Sequence, residues 1–525
     1  MNNEKIIGIL NKKPELKDGL FIRGFLVTDD ESVNTSAFPF FGEWKEERHS
    51  SYRFITHRLT GIHTFTDRDG RTFFILGHAY DPFSMKWEED EILADLSEAY
   101  ENGAYLDKIN DLTGVFVIGM IDGDRIDYLV DPSGMLSCAS GLVGGKFFLC
   151  SHPQIVGDVK DLTMDPDVKE LTEYRWYGRV MGPYLPADMT PFKELKRTVP
   201  DITYTRKGNE IVHRRFWPLK EDAEKTSDIQ TAITEGADIL KKNMLLVTKK
   251  WAKPMISLTG GIDSNTTFAA ANGLYDKVGT FSYVSAEKEI RDAEAAKTIS
   301  EHFGVPHTEY HIPDDSSEIP DFEERREIFR HNNGYVAEGY DNEVRKRLYL
   351  HDNSGYDVEV KSWVSETIRA YWYKHYGRKT MPKLSPKLFR NLYKIFIFNR
   401  KLAHKVDGYF EKYIKEYEYD KIPSSYPPAD MHYNEVTWGS WGGMFISEMK
   451  YCFDITFIYN NRRFFDAMFR LPLEMRITDE HHLKMKEYLC PELYDMHIRV
   501  VNMKETDTRA FLLNVIFTIN SFLPF

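Results

Sequence analysis

The residues best placed for chemistry run Met255-Ile256-Ser257-Leu258-Thr259-Gly260-Gly261-Ile262-Asp263-Ser264-Asn265-Thr266-Thr267-Phe268. A short apolar run passes into a hydroxyl residue, two glycines, an aspartate and a serine, and an Ala-rich stretch to Leu274 then reads as a helix. Strand, Gly-rich turn and helix make an anion site, because N–H groups at a helix start have no intrahelical acceptor and point outward. The glycines let backbone approach a phosphate closely, and the Thr259 and Ser264 hydroxyls can donate to its oxygens. Asp263 would repel that phosphate unless a cation stands between them, and Mg²⁺ is the natural bridge. The lysine of the G-x-x-x-x-G-K-[ST] loop is missing, so that fingerprint fails.

The stretch resembles the S-G-G-x-D-S pyrophosphate loop of the N-type ATP pyrophosphatases, with Thr259 in place of the first serine. The resemblance implies ATP as cosubstrate, cleaved between its α and β phosphates to make an acyl-adenylate. It implies a nucleotide held by Ser257, Leu258, Thr259, Gly260, Gly261, Asp263 and Ser264, with adenine facing the backbone at Phe281 and Ser282. Asn353-Ser354-Gly355-Tyr356-Asp357-Val358-Glu359 looks like a worn form of the family's G-E-G-S-D-E segment. Only Gly355 and Asp357 carry over, which places Gly355 and Tyr356 near the nucleotide and Asp357 beside Asp263 as the second Mg²⁺ ligand. The family's two glutamates fall at Ser354 and Val358.

Glu366 and Arg369, three apart on a helical stretch, can pair on one face. A solvated ion pair is the plain reading and a substrate clamp the sharper one. The family also implies a lysine that steadies the charged intermediate. Arg499 stands at the aligned position, Lys504 keeps the residue type, and Lys484 stands earlier. Lys504 is preferred, since a lysine of lowered pKa can exchange protons near neutrality.

These groups need a frame. Val278 to Val284 reads as a buried strand, Ile290 to Phe303 as a helix and His307 to Ile312 as a third strand. The alternation predicts a doubly wound parallel sheet with ligands at the carboxyl ends of its strands. A helix is expected over 228–242, further helices over 382–419, and a buried or interface helix in the tail from Ala510 to Phe525.

From Phe21 to about Arg214 the texture is β-rich, with alternating segments at 70–76, 114–119, 125–130 and 146–149 and a tight turn at Asp122-Gly123. A helix is expected from Glu91 to Asn102. The run from Leu106 to Phe116, then Leu129-Val130-Asp131-Pro132-Ser133-Gly134 and Cys150-Ser151-His152, looks like the class II glutamine amidotransferase domain that precedes the pyrophosphatase domain in asparagine synthetases. The fold so implied is α/β plus α+β. Residues 1–215 would form an Ntn-type αββα sandwich, and 216–525 a doubly wound parallel-sheet ATP pyrophosphatase domain with helical additions. That amidotransferase uses an N-terminal cysteine as nucleophile. This chain reads Met1-Asn2-Asn3, so its glutaminase is expected to be silent, as in the related β-lactam synthetases.

Composition narrows the rest. A 525-residue chain with 42% hydrophobic and 28% charged residues is ordinary for two or three domains. A net charge of −13 disfavours nucleic acid as a partner. Four cysteines without C-x-x-C spacing fit a reducing cytosol. No signal-like core follows the N-terminus, and the tail is too short and polar to span a bilayer. The reading is a cytoplasmic, ATP- and Mg²⁺-dependent ligase joining a small-molecule or peptide carboxylate to an amine. The amide would form between molecules or within one, as a lactam or peptide macrolactam. Oligomeric state is not legible, and a homodimer is compatible with the sequence. The alternatives are a tRNA-modifying or sulfur-transferring pyrophosphatase-loop enzyme and a degenerate nucleotide-binding scaffold.

Overall fold

The structure, a computed structural model, describes residues 3–179, 182–219, 228–337, 341–500 and 507–522. Up to Arg215 the chain builds two six-stranded sheets whose described pairings are all antiparallel. One runs in the order Leu195–Arg197, Ala139–Val143, Lys146–Cys150, Phe25–Thr28, Tyr52–Thr56, Lys45–His49. The other runs Glu210–Arg215, Ile202–Lys207, Arg125–Val130, Thr113–Asp122, Thr72–Tyr80, Ile62–Thr66.

The strand expected at 70–76 extends to Tyr80 and is buried along nearly its whole length. Both of its faces are covered, which explains the unbroken apolar run. Phe74 meets Phe54 of the other sheet at 5.2 Å between ring centroids, while Phe73 packs at 5.8 Å on Tyr100 of the helix Glu89–Glu101. Tyr128 Oη donates to Ser140 Oγ at 2.8 Å, tying the two sheets together.

The helix expected at 228–242 runs Ile229–Lys250, and the Asp228 side chain caps it by accepting from Thr231 N at 3.1 Å. The parallel sheet follows, in the order His307–His311, Gly279–Val284, Pro254–Ser257, Val358–Val360, Asp454–Thr456. Chain order moves outward from Pro254–Ser257 to one edge, then returns to its other side at Val358–Val360. Strand order therefore reverses between these two strands, and a crevice opens at their carboxyl ends, where α/β sheets bind ligands.

Among the described residues, pairs with no exposed side-chain surface join the halves, including Arg215 with Glu435 at 2.6 Å and Arg462 with Asp201 at 2.7 Å. Glu435 lies on Tyr433–Gly442, a stretch of wide π-helical turns, the kind of irregularity often found at functional sites. The expected helices after Pro382 appear as Pro386–Tyr393 and Arg400–Glu416. The tail helix, Asp507–Phe522, buries Phe517 against Tyr376 at 4.7 Å but exposes Phe511, Leu512 and Ile519. Among the described residues no helix is long and apolar enough to cross a membrane.

Candidate active site

Ser257 ends the central strand, and the chain turns through Thr259, Gly260 and Gly261 into the helix Ile262–Ala270. The turn is held by its own hydroxyls. Thr259 Oγ1 accepts from Gly261 N at 3.0 Å and lies 2.9 Å from Ser264 Oγ, which also accepts from Thr259 N at 3.1 Å. Asn265 Nδ2 donates to the carbonyls of Thr259 and Gly261 at 2.9 and 2.7 Å. Gly260 N donates to Asp292 Oδ1 at 3.1 Å, and burial holds the Asp292 carboxyl above its usual range. Gly260 has to be glycine, because a Cβ there would lie 2.2 Å from Val500 Cγ2. Val500 N also donates to Gly260 O at 2.8 Å, so the chain just before the tail lies against the loop.

A cleft of about 470 Å³ opens above this turn. Of the residues expected at the nucleotide, Ser257, Leu258, Thr259, Gly261, Asp263, Ser264, Phe281 and Ser282 line it. The Ser282 hydroxyl lies 3.1 Å from His307 Nε2, so its side chain is already engaged.

Asp357 is a correction. It precedes the strand Val358–Val360, and its Oδ2 accepts from Lys253 N at 2.8 Å, at the amino ends of the strands. At about 3.3 Å per residue the strand separates it from the carboxyl-end crevice by roughly 13 Å, so it shares no cation with Asp263. Gly355 and Tyr356 leave the site with it. Tyr356 hydrogen-bonds Tyr310 and packs its ring on Phe281 at 5.4 Å and Phe453 at 5.9 Å.

The segment that does face the loop follows the strand, Lys361-Ser362-Trp363-Val364-Ser365-Glu366. Its fifth residue, where G-E-G-S-D-E has its aspartate, is Ser365, and its sixth is Glu366. Ser365 Oγ donates to Asp263 Oδ1 at 2.5 Å. Arg369 Nη1 donates to Asp263 Oδ2, while its Nε and Nη2 grip Asp479 at 2.8 and 3.0 Å. Lys374 Nζ reaches Asp479 at 2.6 Å, and Arg499 Nη2 stands 3.4 Å from it. Burial opposes the charge on Arg369, but Asp263 and Asp479 outweigh it and raise its pKa. Burial likewise opposes ionisation of Asp479, yet Arg369 and Lys374 hold its carboxyl well below the usual range.

Glu366 and Arg369 do pair, at 3.7 Å, although Glu366 sits on a 3₁₀ turn, Trp363–Ile368, where residues three apart eclipse. Tyr433 Oη donates to Glu366 Oε2 at 2.5 Å, and burial raises the Glu366 pKa against the pull of Arg369. Lys484 pairs at 3.6 Å with Glu480 of its own helix, Glu480–Leu489, and does not line the cleft. Lys504 lies outside the described residues.

Sequence reasoning missed Ser365, Lys374 as an Asp479 partner, Asp479 itself and Tyr433. The signal for Ser365 depends on the strand Val358–Val360, which the sequence pattern did not mark. Ligands gather at carboxyl ends, so once that strand is placed the six residues after Val360 take the comparison rather than those before it.

The residues do not fit a cation held jointly by Asp263 and Asp357, which lie at opposite ends of the strand Val358–Val360. Mg²⁺ needs near-octahedral oxygen ligands at about 2.0–2.1 Å, whereas both Asp263 oxygens already accept from Ser365 and Arg369.

Fold and site together define a mixed α/β protein with a crevice at the topological switch point of its parallel sheet. Residues 253–327, which hold the loop and the first three strands of the parallel sheet, match the family model of asparagine synthase. That match is consistent with an asparagine synthetase-like family for this segment. No curated protein matches the chain. Among solved structures it is similar to glutamine phosphoribosylpyrophosphate amidotransferase from B. subtilis complexed with ADP and GMP. That comparison has 9% identity over 57% of this chain and 62% of that one, with a TM-score of 0.22. A second, described as the allosteric regulatory enzyme of purine biosynthesis, has 8% identity over 60% of this chain and 83% of that one, with a TM-score of 0.25.

Proposed function

We propose that the crevice binds ATP and that the chain is a C–N bond-forming ligase which activates a carboxylate as its adenylate. The observation that carries this reading is the loop from Thr259 to Ser264, held by its own hydroxyls at the switch point inside the matched segment. A carboxylate oxygen attacks the α-phosphorus, the bond to the bridging oxygen breaks, and pyrophosphate leaves toward the helix N-terminus. The amine nitrogen then bonds to the acyl carbon, the acyl C–O bond breaks, AMP departs, and the amine proton passes to a base. No step runs through Mg²⁺. The N-terminal unit, read as an Ntn-type sandwich, keeps Cys138 and Cys150 buried, and in this reading the amine arrives free or on the substrate. A second cavity, of about 180 Å³, is lined by Glu366, Arg369, Tyr371, Lys374 and His375 and shares Glu366 with the cleft. It is the place for the group that meets the adenylate.

The test is incubation with ATP, hydroxylamine and a panel of carboxylates. AMP, pyrophosphate and a hydroxamate in equal amounts support the ligase. ADP as product overturns it. Nucleotide binding without turnover on any carboxylate favours a degenerate nucleotide-binding protein, the reading to which the Ser365 substitution and the Arg369 contact lend weight.

A further inference from the structure

We propose that Arg369 is a built-in replacement for the divalent cation at the loop carboxylate, so that this crevice binds a polyphosphate without a metal held by Asp263. The inference rests on the nucleotide reading and goes beyond it.

A carboxylate beside a phosphate needs a positive charge between them. In this chain a covalently attached charge already meets that carboxylate, from the neighbouring cavity that Arg369 lines rather than from the cleft itself. Arg369 Nη1 donates to Asp263 Oδ2, and Ser365 Oγ fills the other oxygen at 2.5 Å. The guanidinium is anchored rather than loosely draped, since its remaining edge holds Asp479 through two bonds at 2.8 and 3.0 Å, and its side chain is 15% exposed. A fork with fixed N–H geometry matches carboxylate and phosphate equally well. His482 Nε2 stands 3.6 Å from Asp263 Oδ1 but brings no charge, because burial depresses its pKa to about 3.

The charge balance agrees. Asp263, Asp479 and Glu366 are matched by Arg369, Lys374 and Arg499. The helix N-terminus, which favours negative charge, is then no longer opposed by an uncompensated carboxylate. Serine at the position of the second aspartate fits the same arrangement, since a second carboxylate would leave an excess negative charge beside Asp263, and a hydroxyl donor does not.

The experiment titrates the full chain with pyrophosphate and with α,β-methylene ATP, once in EDTA and once in excess Mg²⁺, reading heat and the fluorescence of Trp363, which lines the cleft. Dissociation constants in the two conditions are expected to agree within about threefold. Arg369→Gln is expected to lose at least tenfold in EDTA and to recover in Mg²⁺ or Mn²⁺, because Asp263 is then uncovered. Electron paramagnetic resonance should show ordered Mn²⁺ in that variant and none at Asp263 in the wild type. Arg369→Lys, which keeps a charge, should stay metal-independent if Arg369→Gln fails to fold. Wild-type binding that is tenfold or more tighter in Mg²⁺ than in EDTA overturns the inference while leaving the nucleotide reading intact. No binding in either condition overturns both.

Discussion

Arginine meets carboxylate in two settings in this chain, and the difference separates architecture from chemistry. At the seam, Arg215 and Glu435 have no exposed side-chain surface, and Arg215 also donates to the carbonyls of Tyr417 and Trp217 at 2.8 and 2.9 Å. In the crevice, Asp263 keeps 22% of its side chain exposed and faces a cleft of about 470 Å³. The seam pair has nowhere to go, whereas the crevice pair borders room for a ligand. Desolvation makes the first a packing element that is costly to break. Partial exposure leaves the second able to exchange partners with an incoming anion.

The largest effect should fall at the seam. Arg215→Met leaves Glu435 buried without its ion-pair partner, Tyr419 Oη at 2.5 Å being its remaining side-chain donor among the described residues, so a loss of about 3–5 kcal/mol is expected. The midpoint of urea unfolding measures it. Replacing both members, Arg215→Met with Glu435→Leu, should restore much of that loss. A single-variant loss below about 1 kcal/mol would erase the contrast between the two settings.

Next comes the loop. Thr259→Val removes the oxygen that accepts from Gly261 N and touches Ser264. In the proposed reading the same hydroxyl also donates to a phosphate oxygen, and hydrogen bonds to charged groups are worth about 1.5–3 kcal/mol, which predicts a fall of roughly ten- to hundredfold in pyrophosphate release. Stability should change far less than at the seam. Paired measurement of turnover and unfolding midpoint checks both halves, and a variant that unfolds instead of slowing would place Thr259 with the architecture.

The same contrast explains what the sequence could reveal. The loop was legible because glycines and hydroxyls at close spacing carry their chemistry locally, and the strand–helix–strand alternation around it is a periodic signal. The partner segment was not. Asp357 kept the right residue type on the wrong side of a three-residue strand, and only the register of Pro254 with Val358 shows which end it occupies. Arg369 meets Asp479 and Glu366 meets Tyr433 from positions 110 and 67 residues apart, juxtapositions no local pattern encodes. The helix from Ile229 outran its expected end at Lys242 because Met244, Leu246 and Val247 are buried by tertiary packing.

A smaller effect should appear in acid. His432 is fully buried against Phe389 at 4.8 Å between ring centroids, and burial lowers its pKa to about 3. Above about pH 6.5 the ring is neutral in both states and contributes no pH dependence. Below that the unfolded chain takes up a proton that the folded one refuses. Stability is therefore lost as pH falls from about 6.5 to about 3, at up to about 1.4 kcal/mol per pH unit. His432→Leu should flatten that slope by one proton between pH 6 and 4 in unfolding measurements. An unchanged slope would mean that the folded ring is protonated and the pocket admits water.

The smallest expected effect is none at all, and it concerns the N-terminal unit. Glutamine hydrolysis by a cysteine needs a thiolate within reach of the amide. The two thiols in this unit are both buried, Cys150 at the end of the strand Lys146–Cys150 and Cys138 just before the strand Ala139–Val143. Burial pushes Cys138 up to about 12, with Thr198 opposing it only weakly at 3.5 Å, and drives Cys150 well above its ordinary value. At neutral pH both stay protonated; Cys150 is fixed by pairing with Ala139, and Cys138 by its carbonyl accepting from Thr198 N at 2.9 Å. A thiol with a pKa near 12 is ionised about one part in 10⁵ at pH 7, against a few per cent for a free cysteine near 8.5. Incubation with glutamine, ATP and Mg²⁺ should therefore yield glutamate at the uncatalysed rate, and Cys138→Ser should leave that rate unchanged. Glutamate above background that disappears in Cys138→Ser would show that the sheets open far enough to ionise this thiol, and the silent half would have to be read as a second active site.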